Sequence, residues 1–161
     1  MTVSIRPADL HGADRGPVSA MLADYHAQTE GEKVAHGVAA PGELPERYAA
    51  EVRDAAASFA GADVIVADRD GEAIGMAVLH RAGADVEIKR LWVTPAGRRS
   101  GAGSALMADA SARGRAAGAT GLRLSVWDWR VDALALYARQ GFVEVPSWES
   151  RQRLVCLRRP L

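Results

Sequence analysis

The sequence predicts a mixed α/β fold: a mostly antiparallel sheet of about seven strands with four helices, in the order β-α-α-β-β-β-α-β-α-β-β. Three observations carry this expectation. Short runs with period-2 alternation are interleaved with longer segments at helical spacing. The central strands are joined by tight turns, which makes them hairpins, while two later helices each separate a pair of strands as crossovers. The strand Asp85–Val93 also changes face within itself, which requires a bulge.

Each element has its own warrant. Val3–Arg6 reads as the first strand, closed by Pro7. Val18, Met21, Leu22 and Tyr25 fall at helical spacing after Pro17, a residue suited to a first turn. Thr29 to Gly42 is polar with three glycines and reads as a loop, and Leu44, Tyr48, Val52, Ala55 and Phe59 mark one face of a second helix. Val64–Ala67 and Ala73–Leu79 are strands joined across Asp70-Gly71, a strong hairpin signal. In the fourth strand Val86 and Ile88 alternate with polar neighbours, then the apolar positions shift to Leu91 and Val93, so the bulge falls near Lys89–Arg90. Pro95 to Ser100 is a turn that leads into a helix with Ala102, Ala105, Leu106 and Ala110 inside, ending near Gly118. Leu122–Val126 is a strand, Val131–Gln140 a helix stopped by Gly141, and Phe142–Val145 and Gln152–Leu157 are the last two strands.

A chain of 161 residues, 48% apolar and 25% charged, is expected to form one domain over residues 1–161 with no staple. Its one cysteine, Cys156, excludes an internal disulfide and points to a reducing, cytoplasmic setting. No apolar run approaches a membrane span and the N-terminus lacks a signal-peptide pattern, so no membrane partner is expected. His26, His36 and Cys156 lack metal-ligand spacing, so no metal is expected either.

The formal net charge is zero, but the sum hides a split. Residues 1–80 carry 6 basic and 13 acidic side chains, a net of −7, and residues 81–161 carry 14 basic and 7 acidic, a net of +7. The basic half is almost entirely arginine, which suits forked contacts to phosphate. An anionic ligand is therefore expected on the second half, and the acidic first half would steer a cationic one.

The anion site follows from Arg98-Arg99-Ser100-Gly101-Ala102-Gly103-Ser104, between a strand and a helix. Glycines let backbone approach a ligand, and amides at a helix start present donors and the positive end of the dipole. Two arginines add charge-assisted bonds. A Walker loop would need a lysine that is absent, and a dinucleotide fingerprint would need glycine where Leu106 stands.

Arg98-x-x-Gly101-x-Gly103, three residues after Pro95 and following Glu87-Ile-Lys-Arg-Leu-Trp-Val93, resembles the acetyl-CoA-binding motif of the GNAT superfamily of N-acetyltransferases. Ala133-x-x-Leu136-Tyr137-x-x-x-Gly141-Phe142 resembles the family's other signature, and the element order is similar throughout the chain. The resemblance implies a GNAT fold with acetyl-CoA as co-substrate. The pantetheine arm would pair with backbone at Leu91, Trp92 and Val93, and the pyrophosphate would sit on amides from Arg98 to Ser104. There is one departure: the family often has asparagine where Arg130 stands.

The chemistry needs an oxyanion donor, a proton for the leaving thiolate and a sink for the amine proton. A bulge N–H near Trp92 is the candidate donor. Tyr137, on the inner face of its helix, is the candidate general acid, a role its place in the motif implies and a phenol is suited to. Glu87 has the opposite parity to Val86 and Ile88 and is the candidate general base; an ion pair with Lys89 is the alternative. Asp128 and His26 are further base candidates. The resemblance implies an acceptor site between the Thr29–Gly42 loop and the Trp127-Asp128-Trp129 turn, near Tyr25, His26, Glu30, Glu32 and His36. Trp127 and Trp129 would offer a cation their faces, with ordinary packing as the alternative. The expected activity is acetylation of a small primary amine by a monomer or homodimer. Acylation of a protein N-terminus, a lysine or aminoacyl-tRNA, or a non-catalytic acyl-CoA-binding module, are the alternatives. The acidic first half disfavours a nucleic-acid partner.

Overall fold

The polar stretch beginning at Thr29, expected as a loop, is helical as far as Ala35. The computed structural model describes residues 2–161, and α1 spans Arg15–Ala35. Its buried stripe continues past Val18, Met21 and Leu22 through His26 and Lys33, polar residues that an apolar count passes over. Side-chain pairs support the same turns: Gln28 donates to Glu32 at 2.9 Å and Lys33 to Glu30 at 2.6 Å. The helix stops where Val38 N–H donates back to the Lys33 carbonyl at 2.9 Å and Gly37 N–H to Val34 at 3.1 Å.

The single helix expected over residues 44–59 is two, so the described residues form five α-helices rather than four. α2 spans Glu46–Arg53 and α3 spans Ala55–Ser58. Asp54, at φ −152°, closes the first and caps the second, its carboxylate accepting from Ala57 N–H at 3.1 Å. The apolar spacing runs across this break and hides it.

The strands are β1 (Val3–Pro7), β2 (Asp63–Arg69), β3 (Glu72–Ala82), β4 (Asp85–Val93), β5 (Gly121–Trp127), β6 (Val143–Glu144) and β7 (Leu154–Pro160). α4 (Ala102–Ala116) and α5 (Val131–Arg139) complete the set. The seven strands form one sheet in the order β1-β2-β3-β4-β5-β7-β6. β1 runs antiparallel to β2, with Val3 opposite Arg69 and Pro7 opposite Ile65. β4 runs parallel to β5, pairing Asp85, Val86 and Glu87 with Gly121, Leu122 and Arg123. β5 is antiparallel to β7 from Gly121–Pro160 to Trp127–Leu154, and β6 is antiparallel to β7. The Asp70-Gly71 turn is as expected, with φ of 56° and 84°.

The last two strands differ from their expected bounds. Phe142 belongs to the stop of α5, which leaves β6 only Val143 and Glu144. β7 starts at Leu154 and continues through Arg158 and Arg159. Arg158 is tied to Asp85 at 2.8 and 2.9 Å, and the Arg159 guanidinium lies 5.1 Å from the Phe142 ring centre. Arginines with such partners fit a strand that their charge alone argues against.

The residues group into two compact units. One holds the chain up to Val78 together with Arg90–Met107; the other holds Leu79–Lys89 and Ala108–Leu161. In the first, Val18, Met21, Leu22, Val64, Val66, Met76 and Val78 form a buried cluster, with Val52, Phe59 and Trp92 packed against it. In the second, Val86, Ile88, Leu122, Leu124, Cys156 and Leu157 are buried. Among the described residues no helix is long and apolar enough to cross a membrane.

Candidate active site

The first unit contains the loop expected to hold phosphate. Thr94 N–H donates to the Ile74 carbonyl at 2.8 Å, and Pro95–Gly97 forms one 3-10 turn, with the Thr94 hydroxyl accepting from Gly97 N–H at 3.1 Å. Gly97 is required by close approach: a Cβ there would lie 2.8 Å from Ile74 Cβ and 2.9 Å from its carbonyl oxygen. The chain then alternates, with Arg99 at φ 63° and Gly101 at φ 86°, before α4 begins at Ala102. The first amides of a helix have no intrahelical partner. A Cβ at Gly101 would meet nothing within 4 Å, and one at Gly103 would meet only Val93 Cγ2, at 4.0 Å. Both glycines thus face open space. Ser100 is turned inward, its hydroxyl accepting from Ala102 N–H at 3.3 Å. Arg98 folds back over β4, its Nε 3.4 Å from the Val93 carbonyl and its guanidinium 5.3 Å from the Trp92 ring centre.

β4 changes character where the bulge is expected. Arg90 has φ 54°, and Leu91, Trp92 and Val93 follow it, half-buried. Trp92 Nε1 is buried without a hydrogen-bond partner. Arg90 makes a two-pronged pair with Glu51 of α2: Nε to Oε1 at 2.7 Å and Nη2 to Oε2 at 2.8 Å. His26 Nε2–H donates to the same Oε1 at 2.9 Å, and the His26 ring stacks on Tyr48 at 4.4 Å. Burial pushes the Glu51 carboxyl up, but the hydrogen bonds from Arg90 and His26 outweigh it and hold its pKa down at about 2.

This cluster redistributes the residues expected around the acceptor. His26 is 1% exposed and is spent on Glu51 and Tyr48. Tyr25 is half-buried, its ring 6.2 Å from Trp92 and 5.7 Å from the Arg90 guanidinium. Glu30 pairs with Lys33, Glu32 accepts from Gln28, and His36 caps the end of α1. Glu30, expected to attract a cation, therefore already faces one, as does the unforeseen Glu51.

In the second unit Glu87 is 3% exposed. Its Oε1 accepts from Arg123 Nη2 at 3.1 Å and Nε at 3.3 Å, with His80 Nε2 at 3.6 Å. The expected pair with Lys89 is present but longer, at 3.9 Å. The Arg123 guanidinium lies over Trp148, 4.2 Å from its ring centre. Trp127 and Trp129 stack at 4.8 Å, with Arg151 over the first and Arg153 over the second. Asp128 pairs with Arg153 at 3.0 Å. The tryptophan faces are thus occupied by each other and by arginines.

Tyr137 is placed by the way its helix ends. Phe142 N–H donates to the Tyr137 carbonyl at 3.0 Å and Gly141 N–H to Ala138 at 3.1 Å, with Gly141 at φ 89°. This stop brings the residue after the glycine onto the last turn, and the Tyr137 and Phe142 rings meet edge to face at 5.7 Å. The spacing Tyr-x-x-x-Gly-Phe is therefore a packing rule that orients the phenol. Arg130 is the N-cap of α5 and makes no side-chain cap; an asparagine there would supply one.

Glu51, Arg123 and His80, which the sequence did not single out, lie beside the expected residues Arg90 and Glu87. Nothing local marks Glu51, and its partner Arg90 is 39 residues away. Among the described residues no group of three or more His, Cys, Asp or Glu is placed to hold a metal ion.

The chain is similar to several solved structures. The PaiA N-acetyltransferase of Thermoplasma acidophilum, in complex with coenzyme A, is 17% identical with a TM-score of 0.70, each chain covered over 100% of its length. An acetyltransferase of the GNAT family from Staphylococcus aureus Mu50 is 15% identical with a TM-score of 0.71, 99% of each chain covered. N-acetylglutamate synthase from Neisseria gonorrhoeae, complexed with coenzyme A and N-acetyl-glutamate, is 21% identical with a TM-score of 0.69, over 100% of this chain and 35% of that one. At these identities the likeness shows the fold. No curated protein sequence matches the chain. The model of the Acetyltransferase (GNAT) family matches residues 24–142. That span is most of the chain, so this protein belongs to the GNAT family of acetyltransferases.

Proposed function

We propose that the protein transfers an acetyl group from acetyl-CoA to the primary amine of a small molecule by direct attack. Family membership supports acyl transfer from CoA. The observation that carries the co-substrate is the open loop Arg98–Ser104 at the start of α4, where backbone amides and Arg99 suit a pyrophosphate. In this reading amides of Leu91, Trp92 and Val93 pair with the pantetheine arm, and an N–H at the kink supplies the oxyanion donor. Tyr137 protonates the leaving thiolate, its phenol O–H serving as the donor. Glu87 takes the amine proton, directly or through water, with Arg123 as the cation that holds its carboxylate in place. Tyr25, Glu30 and Asp128 contribute to the acceptor side.

The test is thiol release from acetyl-CoA across a broad panel of amines. Transfer to one amine at a rate well above hydrolysis supports the reading. Slow hydrolysis with every amine would show a binding module instead. Within an active pair, Tyr137→Phe should lower kcat by about 10²-fold with little change in CoA affinity. Unchanged turnover would remove the tyrosine from the mechanism.

A further inference from the structure

We infer that Glu51, acting through Arg90, aims the backbone amides of Leu91–Val93, which makes it a positioning residue for acyl transfer. The inference rests on the acyl-transfer reading above. Arg90 is a non-glycine residue held at φ 54° in the middle of a strand. That conformation costs free energy and persists only where the surroundings over-determine it. Here they do. Two parallel hydrogen bonds of 2.7 and 2.8 Å fix the guanidinium plane on Glu51. Tyr25 and Tyr48 flank it at 5.7 and 5.5 Å. His26, 1% exposed, holds Glu51 from the other side at 2.9 Å. Three side chains from α1 and α2 thus converge on the one residue whose backbone sets the direction of the next three, and a fourth, His26, holds Glu51 in place. The pair lies outside the phosphate loop, so its loss should change how the carbonyl is met more than it weakens CoA, whose pyrophosphate contacts stay in place. Misaiming of a donor by about 1 Å is enough to slow a reaction by one to two orders of magnitude.

The alternative is a pair that only fastens α2 to the strand. Glu51→Gln, Arg90→Ala, Arg90→Gly and the double variant Glu51→Gln/Arg90→Gly separate the two, each assayed well below its melting temperature. Glu51→Gln is expected to lower kcat about tenfold, with a smaller rise in the acetyl-CoA dissociation constant through the pantetheine contacts at residues 91–93. Arg90→Gly should recover most of what Arg90→Ala loses, because glycine adopts a positive φ without penalty. Adding Glu51→Gln to Arg90→Gly should cost nothing further in kcat. Wild-type kcat in Glu51→Gln, or equal losses in Arg90→Ala and Arg90→Gly, would overturn the inference. Amide hydrogen exchange at residues 91–93 with CoA bound gives an answer independent of turnover. Faster exchange in Glu51→Gln than in the wild type is expected, and identical exchange would overturn the anchor. A wild type that acetylates no amine defeats the acyl-transfer reading alone, and the exchange comparison still decides this one.

Discussion

Replacing Glu51 with glutamine should flatten the acid limb of the protein's stability curve. The ordinary carboxyl value of 4.5 is lowered to about 2 in the fold. At about 1.4 kcal/mol per tenfold change in proton affinity, that makes ionised Glu51 worth about 3 kcal/mol at neutral pH. A lowered carboxyl pKa means that the unfolded chain takes up the proton first. The contribution is therefore complete above 4.5, declines as pH falls and is gone below 2. The glutamine amide resembles the protonated Glu51 carboxyl in shape and charge, and with either one Arg90 loses its ionised partner. The two proteins should differ by about 2–3 kcal/mol near neutral pH and converge toward about pH 2. Asp14 and Asp85, lowered by their hydrogen bonds to Arg6 and Arg158, slope the same way in both proteins and cancel in the difference. Urea unfolding followed by tryptophan fluorescence at a series of pH values measures the difference directly. Parallel curves, with a gap independent of pH, would refute the assignment of the lowered pKa to the Arg90–Glu51–His26 cluster.

Two further substitutions test the phosphate loop. Gly97→Ala pushes a methyl group against Ile74 backbone and Cβ, at 2.9 and 2.8 Å. It should cost about 1–3 kcal/mol in denaturant unfolding, and an unchanged midpoint would show that the turn yields easily. Gly103→Trp fills the open side of the loop, where only Val93 Cγ2 stands within 4.0 Å. Acetyl-CoA affinity by calorimetry should fall by at least about tenfold, or roughly 1.4 kcal/mol, and wild-type affinity would remove the loop from the CoA site.

The parts of the molecule that were legible in its sequence are those fixed by short-range chemistry. Asp70-Gly71 demands a turn whatever surrounds it, and Gly141 stops α5 because few other residues accept its φ. The change of parity between Ile88 and Leu91 located Arg90 as the place where the strand must kink. The failures share a different cause. α1 continues through Gly31 because His26 and Lys33 extend its buried face, and neither counts as apolar. The break at Asp54 is invisible because the apolar residues keep their spacing while one carboxylate changes the hydrogen bonding. Arg158 and Arg159 belong to β7 only because Asp85 and Phe142 receive them. Glu51 became part of the site through a partner 39 residues away, a pairing that no local pattern encodes.

The brevity of β6 affects what happens when many copies share a solution. It closes one end of the sheet with two residues, Val143 and Glu144, antiparallel to β7. A strand that short presents too few unpaired amides and carbonyls to recruit a chain from another molecule, and its second residue carries a charge that a growing stack would have to bury. The exposed Val143 is thus isolated and cannot begin a longer apolar ladder. At the other end β1 offers five residues, but Arg6 and the nitrogen-capped ring of Pro7 punctuate them. Both rims of the sheet are therefore guarded against fibrous growth, and precipitation on heating should follow loss of the fold and not stacking of native sheets.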